Sequence, residues 1–241
     1  MTLAYPRVVP CGDSAIAVEF GARVDADINQ RVIALDHAVR VAALPGVVEC
    51  VPTYRSLLVH LDPLIAEHGK LSLTLARLAR EARAGTTRGR RWRVPVVYGG
   101  DHGADLDDLA ALHGLTPEKV VEIHTGSIYR VYMIGFVPGF TYLGGLDSRL
   151  ATPRRNTPRT SIPGGSVSIG GAQSAIGSVP SPSGWHLIGR TPVLCFHPGR
   201  DPVFLFEAGD EITFERVHAG RWERLAARSE AGDIIAACES E

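Results

Sequence analysis

The chain has 241 residues, 45% of them hydrophobic and 21% charged, with a formal net charge of −1. This is a globular composition with enough apolar material for one large core or two smaller ones. Near-neutrality gives no broad attraction for nucleic acid. With no apolar run of about 18 residues and no secretory leader, no membrane association is expected. Cys11, Cys50, Cys195 and Cys238 are far apart in sequence, so separate thiols in a cytoplasmic protein are expected.

The first part of the chain predicts an α+β unit with the order ββαββα. Residues 8–10 and 14–20 are strand-like and are split by a turn at Gly12-Asp13. A helix is expected from Ile28 to Leu44, with Asp25 or Asp27 near its start, because Ile28, Val32, Leu35, Val39 and Ala42 recur at helical spacing. Pro45-Gly46 stops it. Residues 47–52 and 56–61 read as two further strands. A second helix from Leu71 to Ala84 places Leu71, Leu75, Leu78 and Ala82 on one face, with Gly85 ending it. Residues 85–90 are polar and glycine-bearing, as a linker would be. Domains at 1–87 and 88–241 follow from this.

The second part begins with a strand over 91–98 and a short helix from Leu106 to His113. Thr116-Pro117-Glu118 is a helix start, with a capping hydroxyl, proline in the first turn and then an acid. Gly126 closes that helix after His124. From residue 128 onward strands and turns alternate: 128–136, 166–170, 185–189, 193–196, 203–206 and a last barrel strand within 208–214. Short strands punctuated by Gly and Pro predict a closed or sandwich β fold.

No Asp or Glu lies between Asp147 and Asp201, yet that stretch holds Arg149, Arg154, Arg155, Arg159, Arg190 and Arg200. Guanidinium groups without local carboxylates need acceptors from elsewhere. Those acceptors are backbone carbonyls, a partner's acids, a bound anion, or distant acids such as Asp101, Asp105, Asp107, Asp108 and Glu207; the alternative is that the arginines lie solvated on the surface. The prolines at 153 and 158 fix where Arg154, Arg155 and Arg159 point. The glycine-rich segment 164–171 matches no phosphate loop and reads best as a β-hairpin. Phe136, Phe140 and Tyr142 either wall a pocket or plug the barrel. Trp185 and His186 face opposite ways if they lie on a strand. His124, at a helix C-terminus, is expected to have its protonated form favoured by the dipole. Lys70 and Lys119 are the only lysines, so no lysine-bearing phosphate loop is present in the arginine-rich stretch. Nine scattered histidines without close pairs suggest no metal site.

The strings YRVYMIGFVPGFTYLGGLD (129–147), PRRNTPR (153–159), GGSVSIGGAQ (164–173) and GWHLIGRTP (184–192) resemble the family that includes the B subunit of 5-oxoprolinase, the sporulation-kinase inhibitor and proteins labelled allophanate hydrolase subunit 1. The resemblance implies a small N-terminal α+β sandwich domain followed by a cyclophilin-like β-barrel domain. It also implies an activity: ATP-dependent opening of 5-oxo-L-proline to L-glutamate. The chain would be one component of that enzyme, inactive alone. It would act with a carboxyltransferase-like partner (the second, or C, subunit) and a lactam-binding partner (the A subunit), sharing ATP and its Mg2+ with them. On motif position, Arg154, Arg155, Arg159 and Arg190 are expected to hold anionic groups. His124, Ser166 and Gln173 are the catalytic candidates, and Phe136, Phe140 and Trp185 the pocket wall. The alternatives are a binding protein that inhibits a sensor histidine kinase, or a role in urea or allophanate metabolism.

Overall fold

The computed structural model describes residues 4–85 and 89–239, which form two compact units, one on each side of the intervening segment. Half of the linker expected at 85–90, residues 86–88, lies outside the described residues.

The first unit is a four-stranded antiparallel sheet with two helices. Its elements are β1 (Arg7–Pro10), β2 (Ala15–Glu19), α1 (Ala26–Ala42), β3 (Val47–Pro52), β4 (Ser56–Leu61) and α2 (His68–Glu81). The strand order is β1-β2-β4-β3. Alternation puts Ile16 and Val18 on the same face as Leu57 and Val59, and all four are fully buried against Val32, Leu35, Leu71 and Leu75. Asp25 caps α1 by accepting from the backbone N–H of Asp27 and Ile28. The helix ends two residues before Leu44, where Ala43 turns left-handed. The second helix begins three residues earlier than the apolar spacing suggested and ends at Glu81 instead of Ala84. Its first turn is polar, so the buried stripe does not reveal it, and extended backbone at Ala82 stops it well before Gly85.

The second unit is a closed barrel. Its strands are β5 (Arg91–Tyr98), β6 (Tyr129–Ile134), β7 (Thr141–Gly144), β8 (Arg159–Ile162), β9 (Ser166–Gly170), β10 (Gln173–Ile176), β11 (Ser181–Ser183), β12 (His186–Arg190), β13 (Glu211–Arg216) and β14 (Ala237–Glu239). Seven of them run β12-β9-β10-β7-β6-β13-β5, and β5 closes the circle by pairing with β12 through Tyr98 and Val97. Only β13 and β5 pair in parallel within it. β14 adds to β5 outside the barrel, and β8 and β11 form a separate two-stranded ribbon. The helices are α3 (Leu106–Leu112), α4 (Pro117–Thr125) and α5 (Trp222–Glu230). Thr116 Oγ accepts from Lys119 N–H at 3.2 Å, Pro117 occupies the first turn and Gly126 closes α4. The α+β sandwich followed by a β-barrel is therefore the architecture of the chain.

Beyond those helix bounds, the sequence reading departs from the structure in the barrel unit. Residues 193–196 and 203–206 are not strands; they meet only at a single bridge between Phe196 and Phe204. Pro198, Gly199 and Pro202 interrupt the intervening loop, so no ladder can form. No strand was expected at β7, β8 or β11, and α5 and β14 follow the strand expected to be last. Among the described residues no helix is long and apolar enough to cross a membrane.

Candidate functional site

The β6–β7 connection, residues 135–140, turns tightly through hydrogen bonds from Gly135 N–H to Phe140 O and from Phe140 N–H to Val137 O. Phe136 sits in it at φ 75°, in the left-handed region, with 62% of its surface exposed. A bulky aromatic residue rarely adopts that conformation. Its ring stands edge-on to Phe140, which continues to Tyr142 (centroids 4.6 Å apart) and on to Trp185 (6.1 Å). These rings, together with Arg154, Pro158, Pro182, Ser183 and Gly184, line a cavity of about 270 Å³. Trp185 lies flat on Gly170 of β9, where any Cβ would overlap the indole. Gly170 is thus what lets the indole form the floor of the cavity.

The 153–159 loop brings Arg154 to this cavity, its guanidinium carbon 5.8 Å from the Trp185 ring centroid. Arg154 has no carboxylate partner among the described residues. Its neighbours do. Arg155 Nη1 donates to Asp105 Oδ1 at 2.7 Å, and Arg159 donates through Nη1 to Oδ2 at 2.8 Å and through Nη2 to Oδ1 at 2.7 Å. Leu187 N–H adds a fourth bond to Asp105 Oδ2 at 2.7 Å. Burial alone would raise the Asp105 carboxyl, but the hydrogen bonds from Arg159 and Leu187, with the charges of Arg159 and Arg155, outweigh it and hold it below the usual aspartate value. Two further bonds pin the loop: Arg155 N–H to Gly184 O at 2.7 Å, and His186 Nε2–H to Pro153 O at 2.9 Å.

The expectation that Arg154, Arg155, Arg159 and Arg190 all hold a ligand anion therefore needs correction. The forks of Arg155 and Arg159 are engaged by an acid from before α3. Arg190 donates Nε–H to Gly164 O at 2.7 Å and lies over Trp222, its guanidinium carbon 4.7 Å from that ring. Arg154 alone of the four lines the cavity.

The family description "Carboxyltransferase domain, subdomain C and D" fits residues 6–206. The chain belongs to that carboxyltransferase-domain family. It is 38% identical over 228 residues to the B subunit of 5-oxoprolinase from Bacillus subtilis, covering 90% of this chain and 95% of the relative. It is 40% identical over 208 residues to the B subunit of 5-oxoprolinase from Haemophilus influenzae, covering 86% and 96%. The crystal structure of TTHA0988 superposes with a TM-score of 0.76 at 34% identity. That match covers 85% of this chain but only 40% of the other, so the present chain spans well under half of that longer protein.

In this carboxyltransferase-domain chain the three catalytic candidates are not brought together at the cavity. His124 is fully buried inside the barrel unit, its Nδ1 2.9 Å from Tyr98 Oη and its Nε2 3.1 Å from Ser174 Oγ. Its ring stacks on Phe214 at 4.7 Å. Burial lowers its pKa to about 3, so the imidazole is neutral at physiological pH. The helix-dipole argument for a protonated His124 fails because desolvation of a wholly enclosed ring outweighs a terminal dipole. Ser166 donates its hydroxyl to Pro163 O at 2.7 Å and is buried. Gln173 opens β10 opposite Gly170, in the hairpin expected from the glycine-rich segment. The residues missed from sequence are Asp105 as the anchor of the loop and Pro158, Pro182 and Ser183 as cavity wall. Asp105 was legible only as one of five acids.

Proposed function

We propose that this chain is one component of an ATP-dependent 5-oxoprolinase, which opens 5-oxo-L-proline to L-glutamate. It would act with a carboxyltransferase-like partner and a lactam-binding partner, and would be inactive alone. The observation that carries this reading is the near full-length similarity to two chains named as the B subunit of 5-oxoprolinase. The cavity is consistent with it, offering one guanidinium and flat apolar walls to a small anionic compound. We assign Arg154 to anion binding and Phe136, Phe140 and Trp185 to the wall. Arg155 and Arg159 are positioning residues that act through Asp105. Unpaired thiols at Cys11, Cys50, Cys195 and Cys238 fit a cytoplasmic location.

The described residues lining the cavity do not fit a complete nucleotide site. Lys70 is paired with Glu67 and Lys119 with Glu122. Among the described residues no three His, Cys, Asp or Glu side chains are grouped to hold a metal ion. A nucleotide polyphosphate with its Mg2+ needs several cations and acidic ligands, and the cavity offers one cation. We therefore assign the nucleotide and its Mg2+ to groups of the partner subunits.

The test is coexpression with candidate partner proteins and assay of glutamate formation from 5-oxo-L-proline. ATP-dependent turnover by the complex, with none from this chain alone, is expected. A stable complex with a sensor histidine kinase and no turnover in any combination would overturn the proposal in favour of an inhibitor.

A further inference from the structure

We infer that Arg190 and Trp222 form a docking surface on the barrel unit, where the Arg190 fork takes an Asp or Glu side chain of the carboxyltransferase-like partner. The existence of that partner rests on the proposed function. The surface, and the chemistry it selects, go beyond it.

The arginines of the acid-free stretch have separate destinations. Arg149 pairs with Asp147, and Arg155 and Arg159 pair with Asp105. Arg154 lines the aromatic cavity. Arg200 is buried, with its Nε–H on Pro202 O. Arg190 is half-buried, and its hydrogen bond from Nε–H to Gly164 O leaves both Nη groups without a partner among the described residues. Burial pulls its pKa down with no acid opposing. The guanidinium therefore carries a desolvation cost that no carboxylate among the described residues offsets.

The fork is also held still. Arg190 ends β12, and the next residue, Thr191, donates its N–H to Gly165 O at 2.8 Å. Gly165, at φ 80°, packs so closely that a Cβ would overlap Thr191 O. The guanidinium carbon lies 4.7 Å from the Trp222 ring centroid. Stacking and the Gly164 bond together fix the guanidinium plane, so its Nη edge meets a planar carboxylate at low entropic cost.

The surroundings favour a protein over a free anion. Trp222 opens α5, and His102, from the short turn Gly100–His102, has its ring centroid 4.5 Å from the indole. His102 Nδ1 is buried and bonded to no protein group among the described residues, an orphan that a docked chain can satisfy. Burial and the charge of Arg190 lower the His102 pKa against the pull of Asp101 and Glu223, so the ring is neutral at physiological pH. Asp101 and Glu223 are both exposed, and they repel a free anion arriving from solution. A protein segment overcomes that repulsion by carrying a Lys or Arg beside its acid, which also selects against segments of the wrong charge pattern. Arg and Trp at the centre with exposed charges at the rim is the composition of a protein–protein hot spot.

The test titrates the full-length chain with the purified carboxyltransferase-like partner, followed by calorimetry and by the Trp222 indole N–H resonance. A saturable complex that shifts that resonance is expected. Arg190→Gln should weaken the complex by about tenfold or more and flatten its salt dependence. Arg77→Gln, which removes an exposed arginine paired with Glu81 in the first unit, should change neither. Arg190→Lys keeps the charge without the fork and should give an intermediate loss. It also supplies an amine, so carbodiimide treatment of its complex should join position 190 to an Asp or Glu of the partner. If Arg190→Gln lowers the thermal midpoint, the crosslink and the Trp222 shift decide. Absence of a complex, an unmoved Trp222 resonance, an unchanged dissociation constant in folded Arg190→Gln, or no crosslink from position 190 would each overturn the inference. The two readings fail separately. A complex that forms glutamate and assembles with unchanged affinity in Arg190→Gln would leave the function standing and remove the surface. A complex that needs Arg190 but opens no lactam with any third component would keep the surface and remove the function.

Discussion

Asp105 and Arg159 face each other through two parallel hydrogen bonds, Nη1 to Oδ2 at 2.8 Å and Nη2 to Oδ1 at 2.7 Å. Arg155 gives the same carboxylate only one. The carboxylate is almost wholly buried, while both arginines keep 29% of their side-chain surface exposed. Because each charge-assisted bond contributes about 1.5–3 kcal/mol, the two arginines should differ in importance. Arg155→Ala is expected to destabilise by about 1.5 kcal/mol and Arg159→Ala by about 3 kcal/mol. Asp105→Asn leaves two guanidiniums without their counter-charge and should cost about 3–5 kcal/mol. Urea denaturation of the three variants tests the order. Equal losses for the two arginine variants would show that the geometry of the fork does not matter.

Acid should weaken the barrel unit in two stages. His124 has a folded pKa near 3 because burial disfavours the imidazolium, against about 6.5 unfolded. The unfolded chain therefore binds the extra proton between those values. The neutral ring's contribution is complete above pH 6.5 and is lost as pH falls towards 3, at about 1.4 kcal/mol per pH unit. Asp105 has a depressed folded pKa, so its contribution is complete above the unfolded value of about 3.9 and is lost below it. Stability measured from pH 7 to 4.5 should fall with a slope that His124→Gln reduces and Asp105→Asn does not. If His124→Gln leaves the slope unchanged, the ring is not the group that titrates.

The parts of the fold that could be read from sequence were those set by local chemistry. Thr116, Pro117 and Gly126 bounded α4 because caps are local. The glycines at 164–171 pointed to a hairpin, and Gly171 at φ 63° is its turn. Arg154 was one of four arginines expected to hold an anion and is the one that lines the cavity, but the partner of Arg155 and Arg159 could not be read. Their partner lies 50 and 54 residues away, and nothing local selects Asp105 over Asp101, Asp107 or Asp108. His124 was misread for the same reason. A helix C-terminus is visible in sequence, whereas the enclosure by Tyr98, Tyr129 and Phe214 that sets its charge is tertiary. The α5 helix escaped because it buries only Leu225 and Ser229 among nine residues, too few to show a period.

Gly170 and Trp185 supply a prediction about the floor of the cavity. A methyl group on Gly170 would occupy the place of the indole, and β9 is held on both sides by β10 and β12. The strand cannot retreat, so the indole must. Gly170→Ala should displace Trp185 into the cavity and destabilise by about 1–3 kcal/mol, the usual range for overpacking. Its expected signature is a changed Trp185 indole resonance and, under the proposed function, a raised KM of the assembled enzyme, while the Trp92 and Trp222 resonances stay in place. An unchanged Trp185 environment in the folded variant would mean that the glycine is not what seats the ring.

Phe136 sets stability against binding. Replacing it with glycine removes the left-handed penalty of about 1–2 kcal/mol and returns part of that gain as backbone entropy of the unfolded chain. The ring it deletes is mostly exposed, so little buried area is lost. Phe136→Gly should therefore be neutral or up to about 1 kcal/mol more stable than the parent chain. Phe136→Ala keeps the strain, loses the ring and should be slightly less stable than Phe136→Gly. Under the proposed function both should raise the KM of the assembled enzyme for 5-oxo-L-proline several-fold, since both lack one wall of the cavity. Thermal unfolding of the pair and steady-state assay of the assembled enzyme separate the two effects. A glycine variant less stable than the alanine variant would show that the backbone at this position is not strained, and that the open ring needs a different explanation.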